Sequence, residues 1–193
     1  MYQHGLKRVL DFLLALCGLL VLWPVFVIIA AAIKIDDPGP VFFSQKRVGL
    51  HKRYFRLYKF RSMKVSTPDV PTHLLEHPEQ YISKVGGFLR KYSLDELPQI
   101  INILLGQMAV IGPRPALWSQ TDLIAQRDQY GANDVRPGLT GWAQINGLRG
   151  DTDIAERIRY DIWYIENWTV ALDIKILFRT VFGGKMVNDE KIQ

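Results

Sequence analysis

Hydrophobic residues are concentrated in one long run near the start of the chain. Residues 12–33 contain no charged side chain, and only Gly18, Trp23 and Pro24 interrupt their aliphatic character. As a helix, a run of this length would rise about 33 Å, which is enough to cross the hydrocarbon core of a bilayer. The pattern therefore predicts a membrane helix over residues 6–36.

The flanking charges and the proline indicate how this helix would sit in the lipid. Lys7 and Arg8 precede it and Lys34 follows it, so the tendency of cations to stay in the cytoplasm favours both ends on that side. Pro24 lacks an N–H and clashes with the carbonyl of Leu20, which predicts a kink or break. We predict a re-entrant helix-break-helix. A kinked spanning helix is the alternative, since a cleaved signal peptide would have a shorter apolar region of about 7–15 residues.

Lys7 and Asp11 lie four residues apart, on one face of the predicted helix. An ion pair between them would tether the helix where it enters the lipid. The chain is thus predicted to divide into a re-entrant membrane helix (1–36), a cytoplasmic domain (37–182) and a loose C-terminal tail (183–193).

The cytoplasmic domain shows one alternating pattern, which predicts a strand at residues 54–62. One face of this strand would carry Phe55, Leu57, Lys59 and Arg61. Two cations on one face could grip a phosphate, or the strand could be a solvated basic edge.

Helical patterns dominate the rest of this domain, which indicates a mostly helical α+β fold with a short sheet. Helices are predicted at 80–91, 99–105, 151–168 and 170–182. The last two carry aromatic residues that could rest at the lipid headgroups, as in amphipathic interfacial helices, or in the core. These residues are Trp163, Tyr164, Trp168, Phe178 and Phe182.

The net charge of +5 is unevenly distributed. Residues 1–64 contain 11 Lys and Arg against 3 Asp and Glu, whereas acids outnumber bases in the remainder. A basic segment beside an apolar helix attracts anionic phospholipid or an anionic substrate. Nucleic acid is not expected as a partner, because the apolar segment would be unnecessary and no nucleic-acid motif accompanies the charges.

The sharpest local signal is residues 90–98, Arg-Lys-Tyr-Ser-Leu-Asp-Glu-Leu-Pro. Ser93 and Glu96 have the spacing of a capping box, but a helix starting there would contain Pro98 in its interior. A helix starting at Pro98 would place proline at its preferred first position and leave Asp95 and Glu96 just ahead of it.

A carboxylate beside a helix N-terminus and an arginine suits phosphoryl chemistry. Helix N–H groups and Arg90 favour phosphate, and the acid can hold a metal ion or attack phosphorus. Magnesium, with oxygen ligands, would screen an anionic nucleophile from an anionic diphosphate. Two turns, Gly-Pro-Arg-Pro at 112–115 and Arg-Pro-Gly at 136–138, each present one further arginine, Arg114 and Arg136.

Together these features resemble the bacterial sugar transferase family, the monotopic phosphoglycosyl transferases, over nearly the whole chain. The segments that carry the resemblance are Lys7-Arg8 with Asp11, the Pro24 break, and residues 59–63, 93–99, 112–115 and 136–141. Trp23 departs from the serine that many relatives have before the proline. The resemblance implies a re-entrant helix and a small catalytic domain half-sunk in the headgroups, at the cytoplasmic face of the bacterial inner membrane.

The resemblance further implies a two-step reaction that uses magnesium. Asp95 would attack the β-phosphate of a UDP-sugar, expel UMP and hold the sugar phosphate until polyprenyl (undecaprenyl) phosphate takes it. Glu96 would be its partner, as metal ligand or proton acceptor, so both carboxylates are candidate magnesium ligands. The candidate phosphate-binding residues are Lys59, Arg90 and Arg114 by resemblance, with Arg61 and Arg136 from their strand and turn.

Two alternatives stay open at the level of the sequence. Asp95 and Glu96 could only position magnesium for direct, single-step transfer, or the chain could be a non-catalytic membrane-tethered module that binds anionic lipid. The sequence does not identify the sugar, the glycan pathway, or whether the chain forms a homodimer.

Overall fold

The computed structural model describes residues 5–68, 75–148 and 154–182. Within them the fold is mostly helical with two short two-stranded sheets, which confirms the predicted α+β class. The predicted start of a helix at Asp151 and the predicted tail at 183–193 lie outside the described residues.

The predicted membrane segment forms the first helix, α1 (Lys7–Asp36). Among the described residues it is the one helix that is long and apolar enough to cross a membrane. Its helical backbone continues through Pro24, which contradicts a break of the helix there, while the predicted kink and the re-entrant path stay predictions. Proline removes only one hydrogen bond of the helix, and contacts with the domain hold the helix on both sides of it, through Leu22 and Phe26.

The N-terminal end of α1 is bound to the domain by a buried ion-pair network. Lys7 Nζ lies 2.6 Å from Asp173 Oδ2 and 3.8 Å from Asp11 Oδ1, which confirms the predicted Lys7–Asp11 pair. All three side chains are buried in protein, and the Asp11 carboxylate also accepts a hydrogen bond from the Val110 N–H at 3.0 Å. The pair therefore fastens the helix to the domain, whereas a site at the lipid interface was expected.

The C-terminal end of α1 is bound to the same domain by two consecutive aspartates. Asp36 accepts a hydrogen bond from the Val85 N–H at 2.9 Å. Asp37 accepts hydrogen bonds from the Arg61 guanidinium at 2.9 Å and from the Val65 N–H at 2.8 Å. Both ends of the long apolar helix are thus tied to one folded unit.

The predicted strand is present as β2 (Tyr54–Phe60), which pairs antiparallel with β1 (Phe42–Val48). Phe55 and Leu57 are buried against α1, as the alternation predicts. β1 was not predicted, because its sequence, Phe-Phe-Ser-Gln-Lys-Arg-Val, shows no clean alternation and only its last residue, Val48, is buried.

A helical segment carries the candidate carboxylates. Helices α2 (Lys84–Lys91) and α3 (Gln99–Leu104) flank a 3₁₀ turn at Leu94–Glu96. The structure confirms α3 almost to the residue. It shortens the helix predicted at 80–91, because a separate 3₁₀ turn at Pro78–Tyr81 precedes α2.

The second half of the domain contains a parallel pair of three-residue strands. β3 (Ala109–Ile111) pairs with β4 (Gly138–Thr140). The helices around them are α4 (Thr121–Gln129), α5 (Trp142–Ile145), α6 (Ile154–Glu166) and α7 (Val170–Phe182). Of these, only α6 and α7 were predicted.

The aromatic residues of α6 and α7 divide between the two predicted environments. Tyr164 is buried in a core cluster with Ile176. Phe178 and Phe182 are exposed and pack on each other, with ring centroids 4.7 Å apart. The exposed side of α7 therefore combines large apolar residues, among them Ile174, Phe178 and Val181, with the cations Lys175 and Arg179, a composition that is compatible with an interfacial helix.

Candidate active site

Asp95 and Glu96 lie directly ahead of α3, in the second of the two predicted registers. Pro98 immediately precedes the first residue of this helix. Ser93 has a left-handed backbone conformation, with φ of 54°, and its side chain caps no helix. The capping-box interpretation is therefore wrong, and the two carboxylates belong to the 3₁₀ turn between α2 and α3.

Glu96 is held by two cations that come from distant parts of the chain. Lys59 Nζ, near the end of β2, donates to Glu96 Oε1 at 2.9 Å. Arg114, in the loop after β3, donates to the same oxygen from Nη2 at 2.9 Å and reaches Oε2 from Nη1 at 3.5 Å. Charge-assisted hydrogen bonds of this kind are among the strong ones in proteins. The Glu96 carboxylate is therefore committed to its neighbours.

Asp95 is in the opposite situation. Its side chain is only 10% exposed, and its nearest cation, Lys59, has its Nζ 3.8 Å from Oδ2. Within the described parts of the chain, no group donates a hydrogen bond to the Asp95 carboxylate. The turn thus holds two adjacent carboxylates with different contacts. Glu96 is hydrogen-bonded by two cations, whereas Asp95 accepts no hydrogen bond from the described residues and is called uncommitted below.

The pKa values of the two acids separate accordingly. Burial raises the pKa of Asp95 above its usual value, and the charges of Lys59, Arg90 and Arg114 offset this only in part. Burial alone would also raise the pKa of Glu96, but Arg114 and Lys59 outweigh it and hold that pKa well below the usual range. The lowered pKa favours the ionised form of Glu96, and its role as metal ligand or proton acceptor stays a prediction.

Arg90 stands near the pair at the last turn of α2. Its Nε donates to Ser62 Oγ at 2.8 Å, which fixes the side chain beside the end of β2. Its charge acts on Asp95, where it lowers the pKa of the carboxyl. The structure therefore brings together four predicted site residues around Asp95: Glu96, Lys59, Arg90 and Arg114.

The other two predicted phosphate-binding residues have partners elsewhere. Arg61 binds both the carboxylate and the backbone carbonyl of Asp37, at the end of α1. Arg136 donates from Nε to the carbonyl of Gly106 at 3.1 Å, just beyond the far end of α3 from the dyad. Neither residue is placed with the dyad by its contacts, and their roles toward phosphate stay predictions.

The contacts of three arginines that organise this region were not predicted from the sequence. Arg8 donates to the carbonyl of Leu104 at 3.0 Å, at the end of α3. Arg127 and Arg157 donate to the carbonyl of Arg114 at 3.0 and 3.1 Å. These partners lie between 13 and 96 residues apart, so no local motif could have indicated the contacts.

The contacts of the two acids favour Asp95 over Glu96 as a ligand for magnesium. Among the described residues there is no group of three or more His, Cys, Asp or Glu side chains that could hold a metal. Magnesium is usually bound by one or two carboxylates together with substrate phosphates and water. Asp95 can supply such a carboxylate, whereas Glu96 would first have to release Lys59 and Arg114.

Comparison with known proteins gives a family match along almost the whole chain. The family model described as "Bacterial sugar transferase" matches residues 2–185. A Bacillus subtilis (strain 168) protein named as an uncharacterized sugar transferase, EpsL, is 40% identical over 193 residues, which cover 97% of this chain and 90% of that protein.

Two longer relatives have names that state a reaction. The UDP-glucose:undecaprenyl-phosphate glucose-1-phosphate transferase of Escherichia coli K12 is 45% identical over 93% of this chain and 40% of its own length. A UDP-N-acetylgalactosamine-undecaprenyl-phosphate N-acetylgalactosaminephosphotransferase of Aeromonas hydrophila is 38% identical over 91% of this chain and 43% of its own length. The chain thus spans about two fifths of such longer curated relatives.

Proposed function

Because the chain belongs to the bacterial sugar transferase family, we propose that it transfers a sugar 1-phosphate from a UDP-sugar to polyprenyl phosphate, with release of UMP. The names of the relatives support this reaction, since they pair a UDP-sugar with undecaprenyl phosphate. The sugars in those names differ, so the proposal covers UDP-sugars as a class and does not choose one sugar.

One observation supports the mechanism: of two adjacent carboxylates with little exposure, only Asp95 accepts no hydrogen bond from the described residues. A nucleophile needs a lone pair that faces the substrate and is not engaged by strong donors. Glu96 fails this requirement, because Lys59 and Arg114 bind it. Asp95 meets it, and the three cations around it suit a substrate diphosphate.

In the first step, an Asp95 carboxylate oxygen attacks the β-phosphorus of the UDP-sugar. The bond from that phosphorus to the bridging oxygen breaks, and UMP leaves with the electron pair. The product is an acyl phosphate that joins Asp95 to the sugar phosphate. In the second step, an oxygen of polyprenyl phosphate attacks the same phosphorus and the Asp95 carboxylate departs unchanged.

The cations have distinct parts in this reaction. Lys59 lies between the two acids, so it can stay on Glu96 while its charge also faces the phosphate that approaches Asp95. Arg90, whose side chain is held by Ser62, adds positive charge from the last turn of α2. When bound, magnesium would neutralise phosphate oxygens, and Asp95 is the residue that would contribute to holding it.

We also propose that α1 enters and leaves the membrane on one side. A helix of 30 residues is about 45 Å long, whereas the hydrocarbon core is about 30 Å thick. If α1 crossed the bilayer, its ends would lie on opposite faces, yet Lys7 and Asp37 both bind the same domain. The exposed side chains of α1 are apolar, including Leu20, Val21 and Ile28 at 65%, 73% and 66% exposure.

The direct test is turnover by the purified protein in lipid nanodiscs that contain polyprenyl phosphate and magnesium. A panel of UDP-sugars is supplied and UMP is measured. We expect one or a few UDP-sugars to release UMP, and Asp95→Asn to lower the rate by at least about a thousandfold. Asp122→Asn, an exposed acid in the first turn of α4, serves as the matched control and should keep wild-type turnover. No UMP from any UDP-sugar, or full activity in Asp95→Asn, would overturn the proposal.

A further inference from the structure

Three arginines from separate elements converge on the loop that presents Arg114. Arg127 Nη1, from α4, and Arg157 Nη2, from α6, donate to the carbonyl of Arg114 at 3.0 and 3.1 Å. Arg47 Nη1, from β1, donates to the carbonyl of the next residue, Pro115, at 3.0 Å. Two consecutive carbonyls of one loop are thus bound by three guanidinium groups.

The loop depends on outside donors because two of its residues are prolines, which have no N–H of their own. The carbonyl of Pro113 accepts a hydrogen bond from the Gly138 N–H at 2.9 Å, and that of Ala116 accepts one from the Val48 N–H at 3.0 Å. Each of the four successive carbonyls of the loop therefore has a partner on another element. The backbone around Arg114 is therefore held by hydrogen bonds from several other elements.

Arg127 and Arg157 cannot act on a substrate themselves. Both are only 4% exposed, and Arg127 is in addition ion-paired with Asp161, which is 2% exposed. Burying guanidinium groups is costly unless they make strong polar contacts. Here a shared contact of the two arginines is a backbone carbonyl next to the active site, so their influence on the chemistry has to pass through the loop.

We infer that Arg127 and Arg157 are positioning residues that hold the backbone of Arg114 so that its guanidinium stays on Glu96 and Asp95 remains uncommitted. This inference rests on the proposed function, because the difference between the two carboxylates matters for an enzyme that uses one as a nucleophile. An arginine side chain has many rotamers. Fixing its backbone reduces the range of positions that its guanidinium can reach, and keeps it away from Asp95.

The test is a double-mutant cycle on UMP release, with Arg127→Lys as the first change. Lysine keeps the charge but lacks the planar fork that serves Asp161 and the Arg114 carbonyl together. We expect kcat to fall about 10- to 100-fold, as for a small misplacement of catalytic groups, while KM for the UDP-sugar changes little. Arg159→Lys, an exposed residue two positions from Arg157 on α6, is the matched control and should leave kcat unchanged.

The second arm repeats Arg127→Lys in an Arg114→Met background. If Arg127 acts through Arg114, the further loss should disappear, because effects that pass through one group are not additive. The same fractional loss in both backgrounds, or a kcat for Arg127→Lys equal to that of Arg159→Lys, would overturn the inference.

A hydrogen-exchange measurement separates failure of this inference from failure of the proposed function. Peptides that contain Gly112 and Gly138, whose N–H groups bond across the loop, should exchange faster in Arg127→Lys than in Arg159→Lys. If wild-type protein releases no UMP, the proposed function fails, and this difference in exchange still decides whether the arginines hold the loop. Equal exchange in the two variants would overturn the inference.

Discussion

At the scale of single residues, the central feature is that two neighbouring acids in one turn have opposite environments. The sequence left two helix registers open, and the structure has the one in which Pro98 precedes the helix and Asp95 and Glu96 lie ahead of it. The sequence could not tell which acid is the free one. That distinction depends on Lys59 and Arg114, which approach Glu96 from 37 residues before it and 18 residues after it.

This difference makes the pH dependence of UMP release predictable. In the proposed mechanism Asp95 has to be ionised to attack phosphorus, and burial raises its pKa. We therefore expect the rate to fall as the pH drops through a value above the ordinary aspartate pKa of about 4. The rate is measured against pH at constant, saturating magnesium, with Asp122→Asn as the control that should keep the wild-type profile.

Glu96→Gln should shift this acid limb in a defined direction. The negative charge of Glu96 contributes to the raised pKa of Asp95, so its removal should move the limb to lower pH. The same change should lower the maximal rate by about a hundredfold or more, because Lys59 and Arg114 lose their anchor and can move onto Asp95. An acid limb that stays in place or moves to higher pH would contradict the assignment.

At the scale of elements, close backbone packing explains a helix that the sequence only partly justified. Helix α2 contains two adjacent glycines, Gly86 and Gly87, which normally weaken a helix. In the structure, a Cβ atom at Gly86 would overlap the backbone of Ser62, whereas a Cβ at Gly87 would meet only Ile82 at 3.9 Å. Gly86 therefore allows α2 to approach the end of β2, where Arg90 then binds Ser62.

The two glycines should consequently respond to alanine in opposite ways. We expect Gly86→Ala to push α2 away from Ser62, lowering both the melting temperature and UMP release. Gly87→Ala is the matched control and should stabilise the protein by about 0.5–1 kcal/mol, the usual gain in a helix. Thermal unfolding and turnover of the two variants check this. Similar behaviour of the two would show that the close approach of α2 is not needed.

Three of the elements that the sequence missed are too short to show a pattern. The strands β3 and β4 have three residues each, too few for an alternating pattern, and their parallel pairing joins Ala109 to Gly138 across a long stretch of chain. Helix α5, with four residues, is likewise too short to show a helical period. By contrast α1, α3 and α7 have strong apolar patterns or terminal signals, and each was predicted close to its observed bounds.

At the scale of the whole molecule, α1 is part of the fold of the domain, in addition to its proposed role as a membrane anchor. Its first turn binds Asp173 through Lys7 and the end of α3 through Arg8. Its last residues bind the start of α2 and the end of β2 through Asp36 and Asp37. The element that follows Asp95 and the elements that carry Arg90 or end beside Lys59 are therefore all attached to α1.

Accessibility labelling can test the one-sided path of α1. With Cys17→Ser removing the single cysteine, Gly5→Cys and Pro38→Cys place a thiol at either exposed end of the helix. A membrane-impermeant maleimide should label both variants from the cytoplasmic face of oriented vesicles, and neither from the other face. Labelling of the two positions from opposite faces would mean that the helix crosses the bilayer.

The uncommitted Asp95 carboxylate is tested most directly by the mass of the protein after reaction with the donor alone. Purified protein is mixed with magnesium and its UDP-sugar without polyprenyl phosphate, quenched, and analysed as intact protein and as peptides. We expect UMP release together with a mass gain of one sugar phosphate on Asp95, which polyprenyl phosphate then removes and which Asp95→Asn never acquires. UMP release only in the presence of the lipid acceptor, with no mass gain in the wild-type protein, would contradict a covalent role for Asp95.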